Sequence, residues 1–359
     1  MAVTNRTLWL LRRLRADIGD QADGVVRELT AGWVKAWDVL ADEWQRAIAD
    51  AATLYLNTGQ WPAPWRLARI DRLVAAQQST AQALAALSAT ANTTAGAGAG
   101  EVIAATAAAE PAIMASQLPA NLAAAALETY AARVAPAALE AIALRARQQI
   151  HAGTWPLTEQ ATEAMRRALI VGVATGTHPN DVARDMVRQV EGAFNGGLTR
   201  AINIARTEML DAYRDTSATV HAANADVLDG WRWISTLDRR TCVSCWAMHG
   251  TTWPLDQAGP WDHQCGRCAR APLVKSWAEL GIPNVEGEDL TPDAQRVFAA
   301  LPPDEQLAVM GPGRLALLTA GRVQWSDLAV RRDNQAWRPS YVPRPVRELQ
   351  ALAHRRAVA

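Results

Sequence analysis

Four cysteines constrain this chain more than any other feature. Cys242, Cys245, Cys265 and Cys268 are its only cysteines, a C-x2-C followed after nineteen residues by a second C-x2-C, all within residues 231–272, WRWISTLDRRTCVSCWAMHGTTWPLDQAGPWDHQCGRCARAP. Two cysteines with two residues between them in a tight turn aim both sulfurs at one point, and two such pairs supply the four soft ligands that tetrahedral zinc prefers. The spacing predicts a closed, structural Zn2+ site, because four protein ligands leave no position for a catalytic water. His263 and His249 are spare donors able to replace a cysteine. Two disulfides or free buried thiols are the alternative, but the beginning MAVTNRTLWLLRRLRADIGD reads as a helix start and not as a secretion signal, so nothing points to an oxidising compartment.

The flanks predict a small β-rich knuckle. Trp231 and Trp233 alternate, so both rings share one strand face, and Gly250 followed by Thr251, Thr252 and Trp253 predicts a returning strand. A hairpin of this size does not hold itself, and the metal would staple it.

The rest of the chain reads as mainly α. Residues 1–150 form a long helical arm or hairpin, 151–275 a helical core carrying the knuckle as an insertion, 276–330 a helical extension, and 331–359 an Arg- and Pro-rich tail expected to be mobile until it meets a partner. Val26, Leu29, Trp33, Trp37, Leu40, Trp44 and Ile48, spaced by three or four, predict one amphipathic helix from Gly24 to Leu56, and a second from Pro64 to Ser88 folds back on it. ATANTTAGAGAG, residues 89–100, has no large side chain and reads as a flexible loop or hinge. Ala-rich helices follow over Glu101–Gln117 and Asn121–Ile150, as an assembly arm or as an ordinary bundle. A helix over Thr158–Thr175 closed by Gly176, a helix start at Pro179 with His178 in its cap loop, and a helix from Gly197 to Ala223 complete the pattern.

Charge limits the function. Lys plus Arg and Asp plus Glu balance at 36 each, with Lys35 and Lys275 the only lysines, which argues against a protein built to coat nucleic acid. No apolar run of about eighteen residues is free of charge, so no membrane span is expected. Fifteen tryptophans against two phenylalanines are expected mostly as core anchors.

The order Ala205-Arg206-Thr207-Glu208, then W-x-W-I-S-T-x-D-x-R-T-C-x-x-C, a glycine at 250, and a histidine ahead of C-x-x-C and a proline resembles the phage Mu F-like head morphogenesis family over about residues 155–275. Members of that family are minor head proteins of tailed phages. The family pattern H-x-x-C-R-C is here His263, Gln264, Cys265, Gly266, Arg267, Cys268, so His263 and Cys265 compete for one ligand position. The resemblance implies a structural minor capsid protein that binds the portal protein, the capsid interior, or both during head assembly. Major capsid protein and scaffold are further candidate partners, with weak contact to packaged DNA, multiple copies around a symmetric ring, and no membrane. It would be assembled in the bacterial host cytoplasm and end in the virion, in the head interior or at the portal vertex.

No catalytic residue is expected. Arg206 and Glu208, two apart, face different sides of their helix, and no His, Ser or second acid lies at a useful spacing. The alternative is a zinc-stapled nuclease or DNA-binding protein, in which Asp262 and His263 would hold a divalent ion and activate water. His263 lies one residue from the second cysteine pair, which leaves no room for the strand and helix such a site needs. A zinc deaminase is excluded because neither cysteine pair follows a proline and no H-x-E precedes them, and Pro272 disfavours a recognition helix after Cys268.

Overall fold

The computed structural model describes residues 3–59, 69–154, 179–283, 287–333 and 338–358, with the single positions 63, 66 and 163. The expected helix over 158–175, Gly176 and His178 lie outside the described residues. The chain is mainly helical with a small sheet, and divides into two compact units: Met1–Gly19, Glu101–Ile142 and Leu210–Ala359 in the first, Asp20–Gly100 and Ala143–Met209 in the second.

The second unit is a helical bundle drawn from α1 (Asn5–Thr58), α2 (Asp71–Ala115), α4 (Pro136–Thr154) and α5 (Pro179–Ala223), with α3 (Ala120–Ala132) belonging to the first. Trp33, Leu40, Trp44 and Ile48 of α1 pack with Leu73 and Leu84 of α2 and with Val190 and Phe194 of α5. Both buried indoles find acceptors, Trp44 Nε1 donating to Thr80 Oγ1 at 2.9 Å and Trp33 Nε1 to the Phe194 carbonyl at 3.3 Å. The pairs Asp50–Arg72, Trp44–Thr80 and Glu28–Thr94 run in opposite chain directions, so α1 and α2 form the antiparallel hairpin that the periodicity predicts.

Three expectations are corrected here. The first helix starts at Asn5 rather than Gly24, because Leu8, Leu11, Leu14, Ile18 and Val25 extend the buried stripe upstream and carry the helix through Gly19 and Gly24. Residues 89–100 are not a hinge but the middle of α2. The absence of large side chains serves close packing: a Cβ on Gly98 would lie 2.9 Å from Met209 Cε and from Val25 Cγ2, and one on Gly96 would lie 3.2 Å from Arg147 Cγ. Ala91, Ala95 and Ala99 are fully buried on the same helix. Likewise, α5 is continuous through Gly196 and Gly197 from Pro179.

The first unit holds the sheet. Strands β1 (Leu228–Ile234), β2 (Thr252–Trp253) and β3 (Ala269–Val274) are antiparallel in the order β2-β1-β3, with Trp231 opposite Trp253 and Pro272. The expected alternation of Trp231 and Trp233 and the returning strand are present. Strand β3 carries Pro272, which it tolerates as an edge strand. Its open edge is sealed by the Gln117 amide, which donates to the Pro272 carbonyl at 2.8 Å and accepts from the Val274 N–H at 3.1 Å.

Around the sheet lie α6 (Val243–Met248), α7 (Ala294–Ala299), α8 (Pro303–Met310), α9 (Pro312–Thr319), a 3-10 turn (Trp325–Leu328), the pair β4 (Ala329–Arg332) and β5 (Ser340–Pro343), and α10 (Val346–Val358). Gly311 separates α8 from α9 at φ +70°, a conformation that favours glycine. The tail is not a mobile appendage. Leu349 and Ala353, one turn apart on α10, are buried in the core that holds Trp231, Trp233, Trp246 and Phe298, with Tyr341 packed beside them. A few well-spaced apolar residues were enough to order a segment whose composition is otherwise polar. No described helix is long and apolar enough to cross a membrane.

Candidate metal centre

The first cysteine pair is delivered by a turn and a helix start. After β1, the Asp238 carboxylate accepts from the Arg240 N–H at 3.0 Å and the Thr241 hydroxyl at 2.9 Å, closing the turn into Cys242. Cys242 caps α6, its sulfur accepting from the Cys245 N–H at 3.4 Å, and Cys245 follows buried in the first turn.

The second pair sits on a loop held from beneath. Asp262, fully buried, accepts through Oδ2 from the Cys268 N–H at 3.1 Å and from Arg214 Nη2 at 2.9 Å. Arg214, on α5, also donates to the Gly266 and Cys268 carbonyls and to Asp211 Oδ1 at 2.7 Å. Arg338 completes the cluster, reaching Asp211 Oδ1 at 2.8 Å and Asp262 Oδ1 at 3.3 Å. Burial opposes the charge on Arg214, but the Asp262 and Asp211 carboxylates raise its pKa; the same guanidiniums overcome burial to lower that of Asp211. Gly266 lies directly on the Asp262 carboxylate, and its N–H closes a turn to the His263 carbonyl at 3.0 Å, leaving Cys265 at φ +56°.

Two overlapping groups of donors result. The ligand atoms of Cys242, Cys245 and His263 lie within 4.8 Å of one another, as do those of Cys245, Asp262 and Cys268. Cys242, Cys245, Cys268 and His263 therefore cluster tightly enough to hold a metal ion, around a cavity of about 60 Å³. Cys265 lines the same cavity but belongs to neither group. Among the described residues, which include all four cysteines, there is no disulfide.

The local chemistry fits zinc. Three sulfurs and one imidazole are a donor set that zinc prefers. His263 Nδ1 lies 2.7 Å from the Gln264 carbonyl, which can only accept, so the proton is on Nδ1 and Nε2 is left as the donor atom for a metal. Hydrogen bonding from Cys245, together with His263, overcomes burial and holds the Cys242 thiol at about 4; Cys242 in turn pushes His263 up to about 9. Cys245, hydrogen-bonded to Cys242 and Cys268 and buried, is pushed above the ordinary thiol range.

His249 is committed elsewhere. Its Nδ1 accepts from the Ser235 N–H at 2.9 Å and its Nε2 donates to the Pro292 carbonyl at 3.1 Å, and burial depresses its pKa to about 4. It clamps the end of β1 to the loop before α7. Asp262, although within reach of two sulfurs, has both oxygens engaged by Arg214, Arg338 and the Cys268 N–H.

A second buried network escaped the sequence reading. Glu110 of α2 accepts from the Ser217 hydroxyl at 2.5 Å and from His221 Nε2 at 3.1 Å, while Arg270 Nε donates to His221 Nδ1 at 3.1 Å. Those bonds fix His221 as the neutral Nε2–H tautomer, and burial lowers its pKa. Arg270 also stacks 4.6 Å from the Trp231 ring centroid. A lone acid in an Ala-rich run, Glu110, was the available signal. Arg206 pairs with Asp23 at 2.6 Å.

Among known proteins, no curated protein and no solved structure matches this chain. Residues 163–271 do match a sequence family, described as Phage Mu protein F like protein, and the match covers α5, the sheet up to β3 and all five candidate ligands. Over this domain the chain is similar to the phage Mu F-like family.

Proposed function

We propose that this protein is a structural minor head protein of a tailed phage, which binds the portal, the capsid interior, or both during head assembly. The observation that carries the reading is the family match at 163–271, which suggests head morphogenesis. In our reading Cys242, Cys245, Cys268 and His263 hold a structural Zn2+, with Cys265 outside the ligand set. Zinc would supply a crosslink between the start of α6 and the 262–268 loop, neutralising thiolates that otherwise repel. The protein's own part is to present the donors: Cys242 through the helix cap, Cys268 through Asp262 and Arg214, and His263 through the Nδ1–H bond to Gln264. Four protein ligands leave no position for water, which favours a fixed docking surface over catalysis. The nuclease alternative needs Asp262 available to a divalent ion, and its engagement by two arginines weighs against that.

The test is affinity purification of the tagged protein from cells producing the particle, with co-purifying proteins identified by mass spectrometry. Portal or coat subunits in the eluate are expected. Nucleic acid with neither of these would overturn the reading and favour the alternative.

A further inference from the structure

Within the first unit, the opening turns of α1 and the end of β1 enclose a cavity of about 190 Å³, separate from the cysteine cluster. Its walls are largely aliphatic, from Leu8, Leu11, Leu237 and Val297. Arg15 and Arg12 bring positive charge to it. Arg15 Nη1 reaches the Ile234 carbonyl only at 3.5 Å, the outer limit of a hydrogen bond, and its Nε is enclosed with no acceptor among the described residues. Burial is the largest influence on its pKa and lowers it, Tyr213 and Cys268 act to raise it, and Arg12 and Arg267 act to lower it. Of the other polar groups that line it, the Ser235 hydroxyl donates to the Cys245 carbonyl and both His249 nitrogens are bonded, which leaves Arg12 and the Thr236 hydroxyl beside Arg15.

An enclosed guanidinium N–H without an acceptor, as Nε of Arg15 is, is destabilising unless something meets it. At about 190 Å³ the space is smaller than the roughly 300 Å³ at which small-molecule sites begin, so it suits one functional group and a short side chain. We propose that this cavity binds a carboxylate presented by a peptide segment, gripped by Arg15, with the aliphatic walls taking the adjoining apolar side chain. A carboxylate has two oxygens, which one planar guanidinium satisfies in a bidentate pair. The carboxylate has two possible sources, a chain terminus and an Asp or Glu side chain.

The experiment titrates the full-length protein with four probes: N-acetyl-leucine, N-acetyl-glutamate amidated at its α-carboxyl, N-acetyl-leucinamide and inorganic phosphate. Methyl NMR shifts of Leu8, Leu11 and Val297 report binding. Saturable shifts are expected with a carboxylate probe and not with leucinamide. N-acetyl-leucine binding better identifies a chain terminus, and the glutamate probe binding better identifies a side chain. Arg15→Gln should weaken that binding by about tenfold or more, with metal content unchanged and the unfolding midpoint equal or higher, since it removes an uncompensated charge. Equal binding of leucinamide, tighter binding of phosphate, or no saturable shift would each overturn the proposal. So would an Arg15→Gln protein that loses metal but binds carboxylate normally, because Arg15 would then serve the thiolates.

Discussion

Replacing Gly266 by alanine tests the architecture beneath the second cysteine pair. The added Cβ would lie 2.8 Å from Asp262 Oδ1 and closer still to Cγ and Oδ2. The carboxylate has nowhere to go: it is fully buried, held by Arg214 at 2.9 Å, by the Cys268 N–H at 3.1 Å and by Arg338 at 3.3 Å. Ordinary contacts begin near ~3.5 Å, so it has to retreat by roughly 1 Å, more than a hydrogen bond near 3 Å survives. Overpacking costs about 1–3 kcal/mol, and fully parting a buried ion pair costs about 3–5 kcal/mol. Arg338 can retain part of the cluster, which places the loss at about 4 kcal/mol. In a unit of roughly 200 residues, that lowers the unfolding midpoint by about 8–16 °C. Differential scanning calorimetry of Gly266→Ala, Asp262→Ala and the double variant reads it out. Removing the carboxylate removes the clash, so the double variant should be no less stable than Asp262→Ala alone, a coupling of about 2 kcal/mol or more. A Gly266→Ala protein within about 0.5 kcal/mol of the parent, or a strictly additive cycle, would refute the reasoning.

Three further outcomes are expected. Elemental analysis should find that His263→Ala and Cys242→Ser each abolish stoichiometric zinc whereas Cys265→Ser retains it; the reverse for His263 and Cys265 would exchange their assignments. His221 is neutral in the folded protein while an unfolded chain protonates near pH ~6.5, so its contribution is complete above that pH and is lost as pH falls below it, at up to ~1.4 kcal/mol per pH unit; His221→Gln should flatten the stability profile between pH 6.5 and 5 in urea titrations, and an unchanged slope would contradict a neutral buried His221. In α2, Gly98→Ala should destabilise by about 1–3 kcal/mol because of Met209 and Val25, whereas Gly100→Ala, with nothing within 4 Å of its Cβ, should stabilise by about 0.5–1 kcal/mol; equal effects in thermal melts would remove the packing explanation.

What was legible in the sequence was what rests on short range. The period of Trp33, Trp37, Leu40 and Trp44 gave the hairpin of long helices, the alternation of Trp231 and Trp233 gave β1, and cysteine spacing located the candidate centre. What could not be read depends on partners far along the chain. Small residues at 89–100 look like a hinge until Val25 and Met209 are placed against them. Asp262 and His263 look like a pair by adjacency, yet Asp262 faces Arg214 and Arg338 while His263 faces Cys242. Glu110 and His221 are 111 positions apart, and no local pattern connects them.

The first unit is assembled from three separated stretches, and this has a consequence for synthesis. Residues 20–209 contain everything the helical bundle needs and leave the ribosome before the sheet exists. Val3 and Leu8, made first, pack against Leu273, and the core around Trp231 closes only when Leu349 and Ala353 arrive. The segment that carries Val3 and Leu8 must therefore wait for its partner until Leu273 has been made. A ribosome stalled between residues 275 and 345 would therefore hold the sheet and the cysteine cluster without the helix that covers them, prone to capture by chaperones or by other nascent copies.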